Sequence, residues 1–214
     1  MKQETLLQAV KYIIKTPNQN MLITGRAGLG KSFSVIKAIR EIGLADDSFL
    51  YINGFFTPRA LFDTLNTANQ LNNPKLLIFD DIATCLRDRK IVELMKGMLW
   101  EVGGKRVASY FTNKRKEQIE VLSKIIIIVN EIPTKSYFNP IKDRMLCYNF
   151  EFSKQEINEI VVDKMIPEKH ATIPYKKRLQ IWQEIRDDEN TSLRSYQKAL
   201  TAFEFAGSAY KDFI

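Results

Sequence analysis

Gly25-Arg26-Ala27-Gly28-Leu29-Gly30-Lys31-Ser32 fits the pattern G-x-x-x-x-G-K-[ST] in full, and its flanks give it meaning. Before it, Met21-Leu22-Ile23-Thr24 reads as a short buried strand, and after it residues 31–42 read as a helix. A strand, a glycine-rich turn and a helix are the parts a phosphate cradle needs. The glycines let backbone N–H groups converge on an anion, and the helix N-terminus adds its positive end. In that arrangement Gly25, Arg26, Ala27, Gly28, Leu29, Gly30, Lys31 and Ser32 hold a nucleoside triphosphate. Lys31 faces the β- and γ-phosphates, and the Ser32 hydroxyl faces a Mg²⁺ ion.

Working outward, strands alternate with helices. Leu6, Leu7, Val10, Ile13 and Ile14 recur at helical spacing over residues 3–15, and Asn18 to Asn20 end that helix. Residues 49–53 read as a second strand, and Thr57-Pro58 opens a helix reaching about residue 69. Residues 75–80 are a third strand, and 88–101 a helix that Gly103-Gly104 would end. Residues 106–112 read as a strand or hairpin arm, 124–130 as the fourth core strand and 146–152 as the fifth. This alternation predicts an α/β fold, a parallel five-stranded sheet covered by helices on both faces. Beyond residue 152 the pattern turns helical. Ser153 with Glu156 is a capping box opening a helix to about residue 165, and 175–187 and 192–206 read as two more helices. The expected division is an α/β core over 1–152 and a small all-α unit over 153–214.

Two further strand ends carry chemistry. Leu76-Leu77-Ile78-Phe79-Asp80-Asp81 is an apolar strand that delivers two carboxylates to the carboxyl edge of the sheet, where ligands sit. There Asp80 would hold Mg²⁺ and Asp81 would polarise an attacking water. The run from 125 to 129 ends in Asn130, whose amide a parallel neighbour would bring near Asp81 to orient that water.

Three motifs in this order resemble those of the AAA+ ATPases. The resemblance extends over nearly the whole chain, with residues 153–214 standing as the family's helical lid. It implies that Arg144, in Asn139-Pro140-Ile141-Lys142-Asp143-Arg144, is an arginine finger reaching a neighbouring subunit's γ-phosphate. It also implies that Arg194, in Ser192-Leu193-Arg194-Ser195, is a second sensor acting in cis. ATP and Mg²⁺ are the implied cofactors and a ring or helical homo-oligomer the implied assembly. Most of the family has Glu where this chain has Asp81, one methylene shorter. Asp-Asp pairs also occur in replication initiators and some helicase loaders, and they favour a slow switch.

The chain has 214 residues and a formal net charge of +7. Residues 1–150 carry 22 basic and 14 acidic groups, whereas residues 151–214 carry 10 and 11, so only the first part attracts anions. No apolar run approaches the roughly 18 residues of a membrane span. The N-terminus lacks the apolar core of a signal peptide. Cys85 and Cys147 suit a reducing compartment and give no metal spacing, so the expectation is a soluble cytoplasmic protein.

Lys105, Arg106, Lys114, Arg115 and Lys116 surround Tyr110 and Phe111, a basic and aromatic segment suited to DNA phosphates and bases. Its ordinary alternative is a strand with core-facing aromatics. Phe55 and Phe56 follow Gly54 where ring-forming relatives place a pore-facing loop, and packing under the next helix is the alternative for either. The resulting expectation is an ATPase that assembles on DNA, as a replication initiator or helicase loader does, with a helicase or other replication protein as partner. A transposition or clamp-loader ATPase, a P-loop small-molecule kinase and a non-hydrolysing nucleotide-gated binding protein stay open as alternatives.

Overall fold

The computed structural model describes residues 2–17, 19–71, 74–113, 116–134 and 138–214. The chain divides into two compact units. One comprises residues 1–25 and 31–150; the other joins residues 26–30 to 151–214.

The first unit is built on a parallel sheet. Its strands are β1 (Met21–Thr24), β2 (Phe49–Asn53), β3 (Leu76–Asp80), β7 (Lys124–Ile128) and β8 (Leu146–Asn149), in the order β2-β3-β7-β1-β8. Met21 pairs with Ile126 on one side and with Leu146 on the other; Leu76 pairs with Lys124. The central strands are apolar at successive positions because both faces are covered. Leu77, Phe79, Ile125 and Ile127 share a core with Leu61, Phe62 and Leu65 of α3 (Pro58–Leu71) and with Ile91, Val92 and Met95 of α4 (Arg89–Leu99). Ile78, Ile126 and Ile128 point to the other face and are equally buried. The helix preceding β1, α1 (Lys2–Lys15), packs on α2 (Lys31–Ile42).

Between α4 and β7 the chain departs from expectation. The helix stops at Leu99, and Gly103-Gly104 is not its C-terminus. Both glycines have positive φ, +60° and +81°, and they form the two-residue turn of a hairpin pairing Glu101 with Arg106. The strands are β4 (Glu101–Val102), β5 (Lys105–Phe111) and β6 (Lys116–Glu120), a three-stranded antiparallel sheet. Of these only β5 is expected from the sequence; β4 and β6 are not. Short α5 (Asn139–Lys142) then leads to β8, which ends at Asn149, three residues sooner than expected.

The second unit is helical: α6 (Lys154–Ile160) runs into a π-helical turn (Val161–Met165), followed by α7 (Tyr175–Ile185) and α8 (Leu193–Ala206). The Ser153/Glu156 capping box forms as the sequence predicts, and a second box, Ser192/Ser195, opens α8. Its core stacks Trp182 edge-on against Tyr196, ring centroids 5.9 Å apart, and the Trp182 indole donates to Asn158 Oδ1. Among the described residues no helix is long and apolar enough to cross a membrane.

Candidate functional site

Strand β1 hands the chain to Gly25, where φ is +143° and a Cβ would lie 2.1 Å from the Phe150 carbonyl oxygen. No other residue fits. The helix that follows begins with Lys31, only 6% exposed, whose ammonium donates to Gly25 O at 2.5 Å and to Asn130 Oδ1 at 2.9 Å. The amide beyond β7 therefore meets the lysine of the turn.

Residues 26–30 of the turn pack with the helical unit. Gly28 O accepts from the backbone N–H of Arg194 at 3.2 Å, and a Cβ on Gly28 would come within 2.6 Å of Ser192 Oγ. Arg26 N donates to Glu151 Oε1 at 2.8 Å. The start of α8 thus touches the phosphate turn through its backbone, while the Arg194 side chain is exposed.

Asp80 closes β3 and is 8% exposed; Asp81 follows it with an exposed side chain and φ of +53°. Asp81 is the single non-glycine with positive φ among the described residues. Asp tolerates that left-handed conformation better than most side chains, and the Asp81 N–H anchors it by donating to Ile128 O at 3.0 Å. The Tyr51 phenol, from β2, donates to Asp80 Oδ2. Burial first, then the bond to Asp80 and its charge, push the Tyr51 phenol up to about 12, so it is a neutral donor. Tyr51 was not singled out from the sequence, because nothing in Phe49-Leu50-Tyr51-Ile52-Asn53 marks one aromatic as facing a carboxylate.

The Ser32 hydroxyl and the Asp80 carboxylate are hard oxygen donors of the kind Mg²⁺ takes one or two at a time, its other positions going to phosphate and water. Among the described residues there is no group of three acidic, His or Cys side chains that could hold a metal ion. The donor set fits Mg²⁺ bound with a nucleotide.

Other expected site residues lie elsewhere. The guanidinium of Arg144 sits 4.6 Å over the Trp100 ring and donates to Pro140 O, with Nε buried and without a partner among the described residues. It is folded against its own chain. Arg106 cannot serve DNA from its present place: it is 7% exposed and donates to Asn20 Oδ1, Met98 O, Leu122 O and Ser123 O. Burial pulls its pKa down, with Glu101 opposing. This buried cation ties β5 to the segment before β7. Lys105 pairs with Glu120, Lys116 is exposed, and Lys114 and Arg115 lie outside the described residues. Phe56 packs 6.1 Å from the Phe79 ring, whereas Phe55 is 75% exposed.

The sequence matches no protein-family model and no curated protein. The architecture does find counterparts. Domain III of the replication initiation protein DnaA from Thermotoga maritima superposes with a TM-score of 0.59 at 16% identity, over 99% of this chain and 92% of that one. The two share one fold. AMPPCP-bound DnaA from Aquifex aeolicus shares it at a TM-score of 0.55 and 12% identity, over 96% of this chain and 62% of that chain. A replication initiator DnaA bound to AMPPCP and single-stranded DNA gives 0.53 and 12%, over 95% and 60%. The chain therefore spans about three-fifths of those longer initiators and nearly all of the isolated domain III.

Proposed function

We propose that this chain is an ATPase that binds ATP with Mg²⁺ and assembles into an oligomer on DNA, in the manner of a replication initiator or helicase loader. One observation carries the reading: a glycine turn that admits no side chain at Gly25 is followed at once by a buried lysine that also reaches Asn130. A lysine costs free energy to bury, and here its ammonium is poised at the end of the parallel strands. An arriving triphosphate offers that ammonium charged phosphate oxygens, a stronger pairing than a neutral carbonyl or amide oxygen gives.

Asn130 then turns to the γ-phosphate and its water. Asp80 and Ser32 hold the cation, which when bound neutralises charge building on the β- and γ-oxygens. Asp81 orients the attacking water. The backbone N–H groups of residues 26–30 line the phosphates, and Arg194 keeps the sensing role that the resemblance implies. Arg144 acts on a neighbouring subunit once released from Trp100. The similar folds of initiators crystallised with a nucleotide analogue, one of them also with single-stranded DNA, support nucleotide and DNA as ligands. Lys105, Lys116 and exposed Phe55 remain the described candidates for DNA contact; Arg106 does not.

Sedimentation with a non-hydrolysable ATP analogue, with single-stranded DNA, and with both tests the reading. Assembly that needs both ligands supports it; a monomer under every condition removes the oligomer, and lack of nucleotide binding removes the site.

A further inference from the structure

Tyr51 stands on β2, the edge strand of the parallel sheet, where its backbone pairs with Ile78 and not with Asp80. Its side chain nevertheless donates to Asp80 Oδ2. A hydroxyl from a separate strand thus holds one oxygen of the carboxylate in the candidate cation site. The ring is 38% exposed, so Tyr51 is not there chiefly to fill the core.

We propose that Tyr51 is a positioning residue of the divalent-cation site, holding Oδ2 of Asp80 so that Oδ1 remains the oxygen offered to the cation. The terminal torsion of an Asp carboxylate is soft, and an unheld carboxylate at the end of a strand samples many orientations. A donor on one oxygen narrows that range. A phenol does so without neutralising the charge, as Lys or Arg would, and the carboxylate keeps its full attraction for a cation. Groups that orient a metal ligand from behind typically change metal affinity by roughly 10–100-fold when removed.

This inference rests on the nucleotide-site reading, and the experiment separates the two. The affinity of a fluorescent ATP analogue is measured in Mg²⁺ and in EDTA for the wild type, Tyr51→Phe, Asp80→Asn and the double variant. The wild type should bind more tightly in Mg²⁺. Tyr51→Phe should keep the EDTA affinity and lose roughly tenfold of the Mg²⁺-dependent gain. In the Asp80→Asn background the same change should add nothing, because Tyr51 acts through Asp80. An undiminished Mg²⁺ gain in Tyr51→Phe, an equal loss in EDTA, or an additive double variant overturns the positioning role while leaving the nucleotide site standing. A wild type that binds no analogue, or binds it equally in both buffers, removes the site reading and this inference with it.

Discussion

The ammonium of Lys31 donates to the Gly25 carbonyl and to the Asn130 amide oxygen. Replacing it with Ala deletes the fixed cation of the cradle. At about 2–3 kcal/mol for lost charge-assisted hydrogen bonds, ATP affinity should fall by roughly 30- to 150-fold, as a fluorescent-nucleotide titration reads. Asp81 tests a subtler balance. Asn tolerates positive φ as Asp does, so Asp81→Asn should leave the melting temperature unchanged while hydrolysis falls and the ATP-bound form accumulates. Glu adds the missing methylene but sits less easily at φ +53°, at a cost of roughly 1 kcal/mol. Asp81→Glu should therefore melt a few degrees lower and still hydrolyse ATP at least as fast as wild type. Undiminished turnover in Asp81→Asn would assign the water to another residue.

Among the elements, α4 and the hairpin sheet meet at Gly97, where an added Cβ would come 2.4 Å from the Val107 carbonyl oxygen. Elsewhere in a helix Gly→Ala gains about 1 kcal/mol. Here the methyl strikes backbone that the β5–β6 ladder and the Arg106 hydrogen bonds hold in place. Gly97→Ala should destabilise by about 1–3 kcal/mol in denaturant melts, against the propensity scale. The second unit offers a plainer case. Ser153 accepts from Glu156 N at 3.2 Å while Glu156 Oε2 accepts from Ser153 N at 2.8 Å, so Ser153→Ala should cost about 1 kcal/mol. A wild-type melting curve for Ser153→Ala would mean the box contributes nothing.

At the scale of the whole molecule, the oligomer proposal turns on Arg144. In a single chain its guanidinium is seated on Trp100 and leaves Nε without a partner among the described residues, so service to a neighbour requires it to leave that seat. A trans-acting arginine contributes on the order of a thousandfold to turnover. Arg144→Ala should bind ATP normally and hydrolyse it poorly at every protein concentration. Mixed with Lys31→Ala subunits it should regain activity, because each variant supplies what the other lacks. If Arg144→Ala instead lowers the melting temperature and leaves the ATPase intact, the residue is a structural partner of Trp100.

Much of the site was legible in the sequence because its signals are local. A glycine turn between an apolar strand and a helix, a Lys-Ser pair, and a strand ending in Asp80-Asp81 each depend on a few adjacent residues and their backbone preferences. The strands of the parallel sheet were legible for the same reason, as continuous apolar runs. Lys116–Glu120 was not, since Ile119 is its one apolar residue; it becomes a strand because β5 offers it an open edge. Gly103-Gly104 was misread because two glycines end a helix or turn a hairpin equally well, and only the pairing of Glu101 with Arg106 decides. The side-chain partnerships came from the tertiary structure alone: Lys31 with Asn130, Tyr51 with Asp80, Arg106 in the core, Arg144 on Trp100. Strand order, register and helix packing fix which distant side chains meet. Those are set by the burial of the whole apolar surface, which no short stretch of sequence contains.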